Sequence, residues 1–356
     1  MEKGKFLSRK ESSIIQGIAV MLMVYHHLFG FPDRIVSEYV IVSDFSFLHI
    51  GTILSYFGRI CISVFAFCSG YGIYKKLSSI YTDSFIVNIK IGYAAIFKQA
   101  IKFFTRYWIV CALFIPIGYI MGVYSFQLLP LLKCLFGITF PYNAEWWYVN
   151  TYLTFLIYVP LFVAVEKVIY KYCSQVIVNV LYLFIFICGV VLSKLSISDY
   201  TVELCFVSGI ACVSINVYDK FYFSLCKVGT FKYILSIFLV VTLALLRMIL
   251  GLECNYDFIC APIFVFGIGM IIKCKLFTNY INRVLLFIGK YSTYIWLTHT
   301  FFAYYYFQQY LYWFRYSTII FVVCLICCII IGMVCEIIIK LISKVLMKNK
   351  LVVSND

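Results

Sequence analysis

Charge is scarce in this chain: Asp, Glu, Lys and Arg make up 12% of 356 residues, against 64% hydrophobic side chains. A soluble domain is about one quarter charged, so no water-soluble fold has enough polar surface to cover this much apolar area. Histidine is rarer still, with four residues, and none stands at metal-ligand spacing from the sixteen cysteines. Cys324, Cys327 and Cys328 sit inside an Ile/Val run. The cysteines therefore read as small apolar membrane residues, and no metal centre is expected. The net charge of +14 comes without a basic patch interleaved with exposed aromatics, so no nucleic-acid partner is expected either. The first apolar run follows a basic start but lacks a small-residue cleavage site and carries two histidines. It reads as a retained helix rather than a leader peptide.

Long apolar runs are abundant. They cover 12–31, 52–74, 100–123, 146–167, 174–193, 198–217, 230–250, 257–274, 284–308 and 316–345, each near the roughly 20 residues that a membrane-crossing helix needs. Hydrocarbon offers the backbone no hydrogen-bond partners, and the runs show neither hairpin punctuation nor period-two polarity, so helices are expected over a barrel. The expected fold class is all-α: a polytopic membrane protein of about ten transmembrane helices. Residues 1–350 form one transmembrane domain and 351–356 a short cytoplasmic tail.

The basic residues give a direction. With the N-terminus cytoplasmic, one side collects Lys3, Lys5, Arg9, Lys10, the 75–99 connection, Lys102, Arg106, Lys167, Lys171, Lys220, Lys227 and Lys232. The same side takes Lys273, Lys275, Arg283, Lys290, Lys340, Lys344, Lys348 and Lys350. The other side keeps Arg34, Lys133, Lys194, Arg247 and Arg315, with Arg59 in the membrane. Positively charged loops stay inside, so both termini are expected in the cytoplasm of a cell, with the chain in its plasma membrane. Two further segments stand apart. The stretch 125–140, broken by Pro130 and Lys133, reads as an interfacial or re-entrant piece on the outer side. The amphipathic stretch 84–105 reads as lying along the inner surface before the third span.

Ionisable groups inside a membrane are costly and usually mark a site or a pathway. His26, His27, Arg59, Glu145, Glu203, Arg247 and His299 all fall at one depth, toward the outer side. The two adjacent histidines lie about fifteen residues into the first run, roughly 22 Å from its inner end at 1.5 Å per residue. Each alone is compatible with snorkelling or a satisfied interfacial residue. Together they point to a functional cavity opening outward, where a histidine beside a carboxylate can serve as a general base. At the opposite surface Lys98, Lys102 and Arg106 repeat at i, i+4, i+8 and form one positive stripe. That stripe suits either an anchor for anionic membrane lipid or a clamp for phosphates.

Several of these segments carry a resemblance. Gln16-Gly17-Ile18-Ala19 through Tyr25-His26-His27-Leu28-Phe29, Phe57-Gly58-Arg59 with the Phe-rich stretch to Ser69-Gly70-Tyr71, and Lys102 to Arg106 with Tyr107-Trp108 resemble segments of the acyltransferase 3 family. So do Glu145-Trp146-Trp147-Tyr148 leading to Pro160, and Gly289-Lys290-Tyr291-Ser292 leading to Trp296-Leu297-Thr298-His299. The family's basic residue in the first helix is Gln16 here, with Arg9 and Lys10 as neighbouring cations. Ser63 stands where many members have Asp. No extracellular hydrolase-like domain follows, which corresponds to the membrane-only form.

The resemblance implies a bacterial membrane O-acyltransferase that moves an acyl group, acetyl first of all, from cytoplasmic acetyl-CoA to a hydroxyl of a sugar, cell-surface glycan or lipid-linked carbohydrate. It implies nucleotide phosphates on Lys98, Lys102, Arg106, Arg9 and Lys10, and His27, or its neighbour His26, as base. Glu145 or His299 then orients the base or the acceptor, and Arg59 stabilises the oxyanion. Trp146 and Trp147 either stack on the sugar or belong to the interfacial aromatic belt. The competing expectation is a transporter or flippase for a lipid-linked or small anionic solute along Arg59, Glu203 and Arg247, although no inverted repeat is visible.

Overall fold

The computed structural model describes residues 6–36, 41–42, 50–195, 200–249, 256–274 and 280–353. Lys3, Lys5 and Lys275 lie outside them. The chain is helical throughout the described residues, with an isolated bridge between Val42 and Tyr316 as its extended pairing. In order the helices are α1 (Arg9–Phe29), α2 (Ile50–Gly58), α3 (Cys61–Ile80), α4 (Phe85–Ile120), α5 (Leu128–Leu135), α6 (Tyr148–Tyr172) and α7 (Gln175–Lys194). Then come α8 (Thr201–Ser214), α9 (Val217–Cys226), α10 (Phe231–Ile249), α11 (Asp257–Ile271), α12 (Ile281–Thr300), α13 (Gln308–Tyr312) and α14 (Ser317–Val353).

The first helix begins at Arg9, three residues before the apolar run. Ser8 and Glu11 form a reciprocal capping box: the Glu11 carboxylate accepts from the Ser8 N–H at 2.7 Å, and the Ser8 hydroxyl accepts from the Glu11 N–H at 3.2 Å. Glu11 also pairs with Lys273 beyond α11. Inside the bundle, small residues let backbones touch. A Cβ on Gly289 would stand 1.9 Å from the Ser13 carbonyl oxygen, and one on Gly17 would stand 2.3 Å from that of Leu285. Because His27 also meets His299 further along, α1 and α12 run side by side in the same direction. Gly70 and Gly209 bring α3 against α8 in the same way.

Among the described residues six stretches are long and apolar enough to cross a membrane: Arg9–Phe29, Ile53–Ile80, Phe85–Ile120, Ala144–Tyr172, Gln175–Lys194 and Ser317–Val345. A seventh is added if α8 and α9, bent by 61°, form one broken span. The bend falls at Asn216, whose φ of 59° is left-handed, a conformation that Asn tolerates better than most residues. The runs at 230–250, 257–274 and 284–308 are helices α10, α11 and α12 but do not count among the six. Helix α11, at 15 residues, is about 22 Å long, short of the roughly 30 Å hydrocarbon core. Helix α12 carries Arg283, Lys290 and His299.

Two local expectations change. The stretch 84–105 does not turn before the third span: α4 continues unbroken for 36 residues, because nothing in 84–105 interrupts the helical hydrogen bonds. The second run is instead broken, into α2 and α3, at Arg59 and Ile60. Within 125–140, α5 is held by side chains of α4. The Tyr107 hydroxyl donates to the Cys134 carbonyl and the Trp108 indole N–H to that of Leu135, each at 2.8 Å. The Trp108 bond satisfies a carbonyl that the helix end leaves orphaned, and the Tyr107 bond is a second one to the Cys134 carbonyl, which also accepts from the Gly137 N–H.

Candidate active site

A cavity of about 160 Å³ runs along α1 between α3, α4, α6 and α12. Gln16, Met23 and His27 line it from α1. Ile62, Phe65 and Ser69 face it from α3, Phe103 from α4, Glu145, Trp147, Tyr148 and Tyr152 from the α6 region, and Ser292, Thr293 and Trp296 from α12. Gln16 and His27 are eleven positions apart, so the cavity extends about 16 Å along the helix axis. Its walls are mostly carbon, with hydroxyls in the middle and a histidine and a carboxylate at one end. That composition is typical of pockets that orient a ligand with a few polar groups.

At the histidine end the chain gathers groups from four places in sequence. Nε2 of His27 lies 3.9 Å from Oε2 of Glu145, and Oε1 of the same carboxylate accepts from Nη1 of Arg34 at 3.0 Å. Glu145 sits in a short 3₁₀ turn, Ala144–Trp147, whose start is capped by the Asn143 side chain. The Arg34 guanidinium lies over the rings of Phe31 and Tyr304, 4.3 and 5.2 Å from their centroids. The His299 ring is 4.9 Å from that of His27. Its Nδ1–H donates to the carbonyls of Ile295 and Trp296 within its own helix at 3.1 and 2.8 Å. Its Nε2 is thereby left as a buried acceptor that has no partner among the described residues.

The other expected residues separate. His26 turns away: its Nδ1–H donates to the Ser55 carbonyl at 2.6 Å, tying α1 to α2, and it does not line the cavity. Arg59 is exposed at the α2–α3 break and does not line the cavity either. Trp146 is fully buried, with its indole N–H donating to the Leu297 carbonyl at 2.9 Å, so it is a core residue. Trp147 reaches the cavity and is 39% exposed. Arg247 is engaged elsewhere, forked onto Asp257 with both bonds at 3.0 Å, and Asp257 also accepts from the Ser63 hydroxyl at 2.7 Å. A carboxylate on α11 thus serves Ser63 from another helix.

On the far side of the bundle Arg9, Lys10, Lys98 and Lys102 are exposed, and Arg9 and Lys98 are both close enough to act on Lys76. Arg106 differs from its stripe neighbours. Its Nε and Nη2 both donate to Oε1 of Glu336, at 3.2 and 2.9 Å, which fastens α4 to α14. Among the described residues no group of three His, Cys, Asp or Glu side chains is placed to hold a metal ion.

Sequence reasoning missed Arg34, Tyr304 and Glu336. The first two lie in a one-turn 3₁₀ helix, Pro32–Arg34, and in a π-helical turn, Phe301–Tyr305, both too short for periodicity to say which way a side chain points. A π-turn next to a histidine is itself a signal, because such turns concentrate at functional sites, but it is not readable before the fold. Neither the curated proteins nor the solved structures contain a match to this chain. The sequence model of an acyltransferase domain does match, from residue 10 to residue 335. That match takes in α1 with its histidine pair, the Glu145 turn and the whole of α12, and with nearly the full chain covered the protein belongs to the acyltransferase 3 family of membrane acyltransferases.

Proposed function

We propose that the chain transfers an acetyl group from acetyl-CoA, held on the cytoplasmic side, to a hydroxyl of a sugar, surface glycan or lipid-linked carbohydrate on the other side of a bacterial plasma membrane. One observation carries this reading: a single cavity is lined by Gln16 toward the basic end and by His27 and Glu145 at the other. A thin, flexible thioester arm fits such a passage, whose hydroxyls on Ser69, Tyr152, Ser292 and Thr293 can accept its amide hydrogens or donate to its carbonyls. The exposed cations Arg9, Lys10, Lys98 and Lys102 provide positive charge for the phosphates. Arg106, already bound to Glu336, contributes at most the remaining side of its guanidinium. The ten-span arrangement with both termini inside is part of the same proposal, and the shared direction of α1 and α12, the first and ninth runs, supports it.

In the reaction the acceptor hydroxyl donates to Nε2 of His27 from the cavity, with the carboxylate of Glu145 beside the imidazole. The 3.9 Å separating those two groups is too long for a direct hydrogen bond and leaves the histidine nitrogen open to the hydroxyl proton. His27 takes that proton as the hydroxyl oxygen attacks the thioester carbonyl, and Glu145 stabilises the imidazolium that forms. Collapse of the tetrahedral adduct releases the thiol of the donor, which carries away the proton. Trp147 offers an aromatic face to the acceptor at the mouth. The test is mass spectrometry of surface polysaccharides from cells with and without the gene, and with His27→Ala. A mass difference of one acetyl that His27→Ala erases at unchanged protein level supports the reading; acetylation that persists in His27→Ala rejects it.

A further inference from the structure

We infer that Tyr304 is the positioning residue that fixes the His27 tautomer, holding the proton on Nδ1 so that a bare Nε2 faces the cavity. The inference rests on the reading of His27 as the base. It begins with the end of α1. A helix leaves its last carbonyls without intrahelical partners, and α1 ends at Phe29, so the carbonyls of His27 and Leu28 need donors from elsewhere. Two tyrosines provide them. The Tyr304 hydroxyl donates to the His27 carbonyl, and the Tyr312 hydroxyl donates to that of Leu28 at 2.8 Å.

A phenolic hydroxyl has a single hydrogen. Once that hydrogen is committed to the His27 carbonyl, the Tyr304 oxygen can only accept, and Nδ1 of His27 is 3.3 Å from it. Nδ1 must therefore carry the hydrogen, which leaves Nε2 with its lone pair. Tyr304 can do this because Phe301–Tyr305 is a π-turn, closed by the Tyr306 N–H donating to the Phe301 carbonyl at 2.9 Å. The wider turn swings Tyr304 back over the end of α1. The nearest carboxylate, Glu145, is 3.9 Å from Nε2, too far to hold a proton there. His299 presents an Nε2 that has no partner among the described residues, His26 spends its Nδ1–H on Ser55, and Glu145 is occupied on one oxygen by Arg34. Among the described residues the Tyr304 hydroxyl is the hydrogen-bond partner of His27 Nδ1.

The experiment is ¹⁵N NMR of histidine-labelled protein in nanodiscs, above the pH at which imidazole titrates. A bare ring nitrogen resonates well downfield of a protonated one. With four histidines in the chain, the His27 signals are assigned by their loss in His27→Gln. The expected native result is a protonated Nδ1 and a bare Nε2 at position 27. Tyr304→Phe is expected to give a mixture of tautomers and to lower kcat about tenfold with donor KM unchanged, since a wrongly protonated imidazole cannot accept the proton. Tyr312→Phe removes the companion cap without touching the ring and is expected to leave the tautomer as it is. A native His27 protonated on Nε2, or a Tyr304→Phe spectrum identical to the native one, overturns the inference. Both readings are independent of whether any acyl transfer is found, so a failure of the enzymatic proposal is separable from a failure of this one.

Discussion

Arg34 and His27 flank the same carboxylate: Nη1 of Arg34 is 3.0 Å from Oε1 of Glu145, and Nε2 of His27 is 3.9 Å from Oε2. The short contact is a charge-assisted hydrogen bond, and the long one is beyond hydrogen-bond reach, which leaves Nε2 of His27 open to another donor. Glu145 is therefore held from one side and free to act on the other.

Unequal effects at the two partners follow. Glu145→Gln keeps the shape but removes the charge that stabilises an imidazolium, and transfer is expected to fall by about 10². Arg34 is 42% exposed in its side chain, so solvent screens its pairing, and Arg34→Ala is expected to cost less than about tenfold. Initial rates with a soluble acceptor read both. A loss at Arg34 as large as that of His27→Ala would place Arg34 in the chemistry itself.

The adjacent tryptophans are expected to fail in different ways. Trp146→Ala empties a fully buried site and loses the bond to Leu297, costing about 3–5 kcal/mol of stability. Trp147→Ala, at an exposed position on the cavity rim, is expected to leave the melting temperature within a few degrees and to raise the acceptor KM. Thermal melts in detergent and acceptor titrations separate the two, and a stable Trp146→Ala protein would contradict its placement in the core.

The basic stripe divides as well. Lys98→Ala and Lys102→Ala alter exposed cations and are expected to raise the donor KM several-fold, more at low salt than at high. Arg106→Ala breaks the tie to Glu336, and Glu336→Ala is expected to lower stability by a similar amount, about 1 kcal/mol for a partly exposed pair. Donor KM measured across an ionic-strength series decides it: a salt-independent KM in the lysine variants counts against a phosphate site there.

Glycines give a structural control on the bundle. Gly289→Ala drives a methyl to 1.9 Å from the Ser13 carbonyl oxygen, and backbone cannot yield as a side chain can. The variant is expected to lose about 1–3 kcal/mol or to misassemble. Gly72→Ala, with nothing within 4 Å of the new atom, is expected to be neutral or to stabilise α3 by up to about 1 kcal/mol. Retained fold and activity in Gly289→Ala would mean that α1 and α12 do not pack this closely.

Much of the site was readable before any fold. His27, Glu145 and His299 stand out because an ionisable group in an apolar run is conspicuous, and the fold does bring these three together. Trp146 was legible as aromatic but not as core, because an exposed and a buried tryptophan at adjacent positions look alike in a sequence. Arg59 and Arg247 share the depth of His27 yet lie apart from the cavity, since depth says nothing about where around a bundle a helix stands.

Hydrophobicity and its pattern determined the helical, membrane-crossing character of this protein, because long apolar runs without hairpin punctuation or period-two polarity satisfy their backbone in hydrocarbon as helices. The motif residues determined its family. Only the tertiary structure decided that Glu145 is held by Arg34, that Arg106 is spoken for by Glu336, and that Tyr304 closes over His27. Each of those pairings joins segments a hundred or more residues apart, and which side chains meet across such a distance is set by helix packing angles and close glycine contacts that no local pattern encodes.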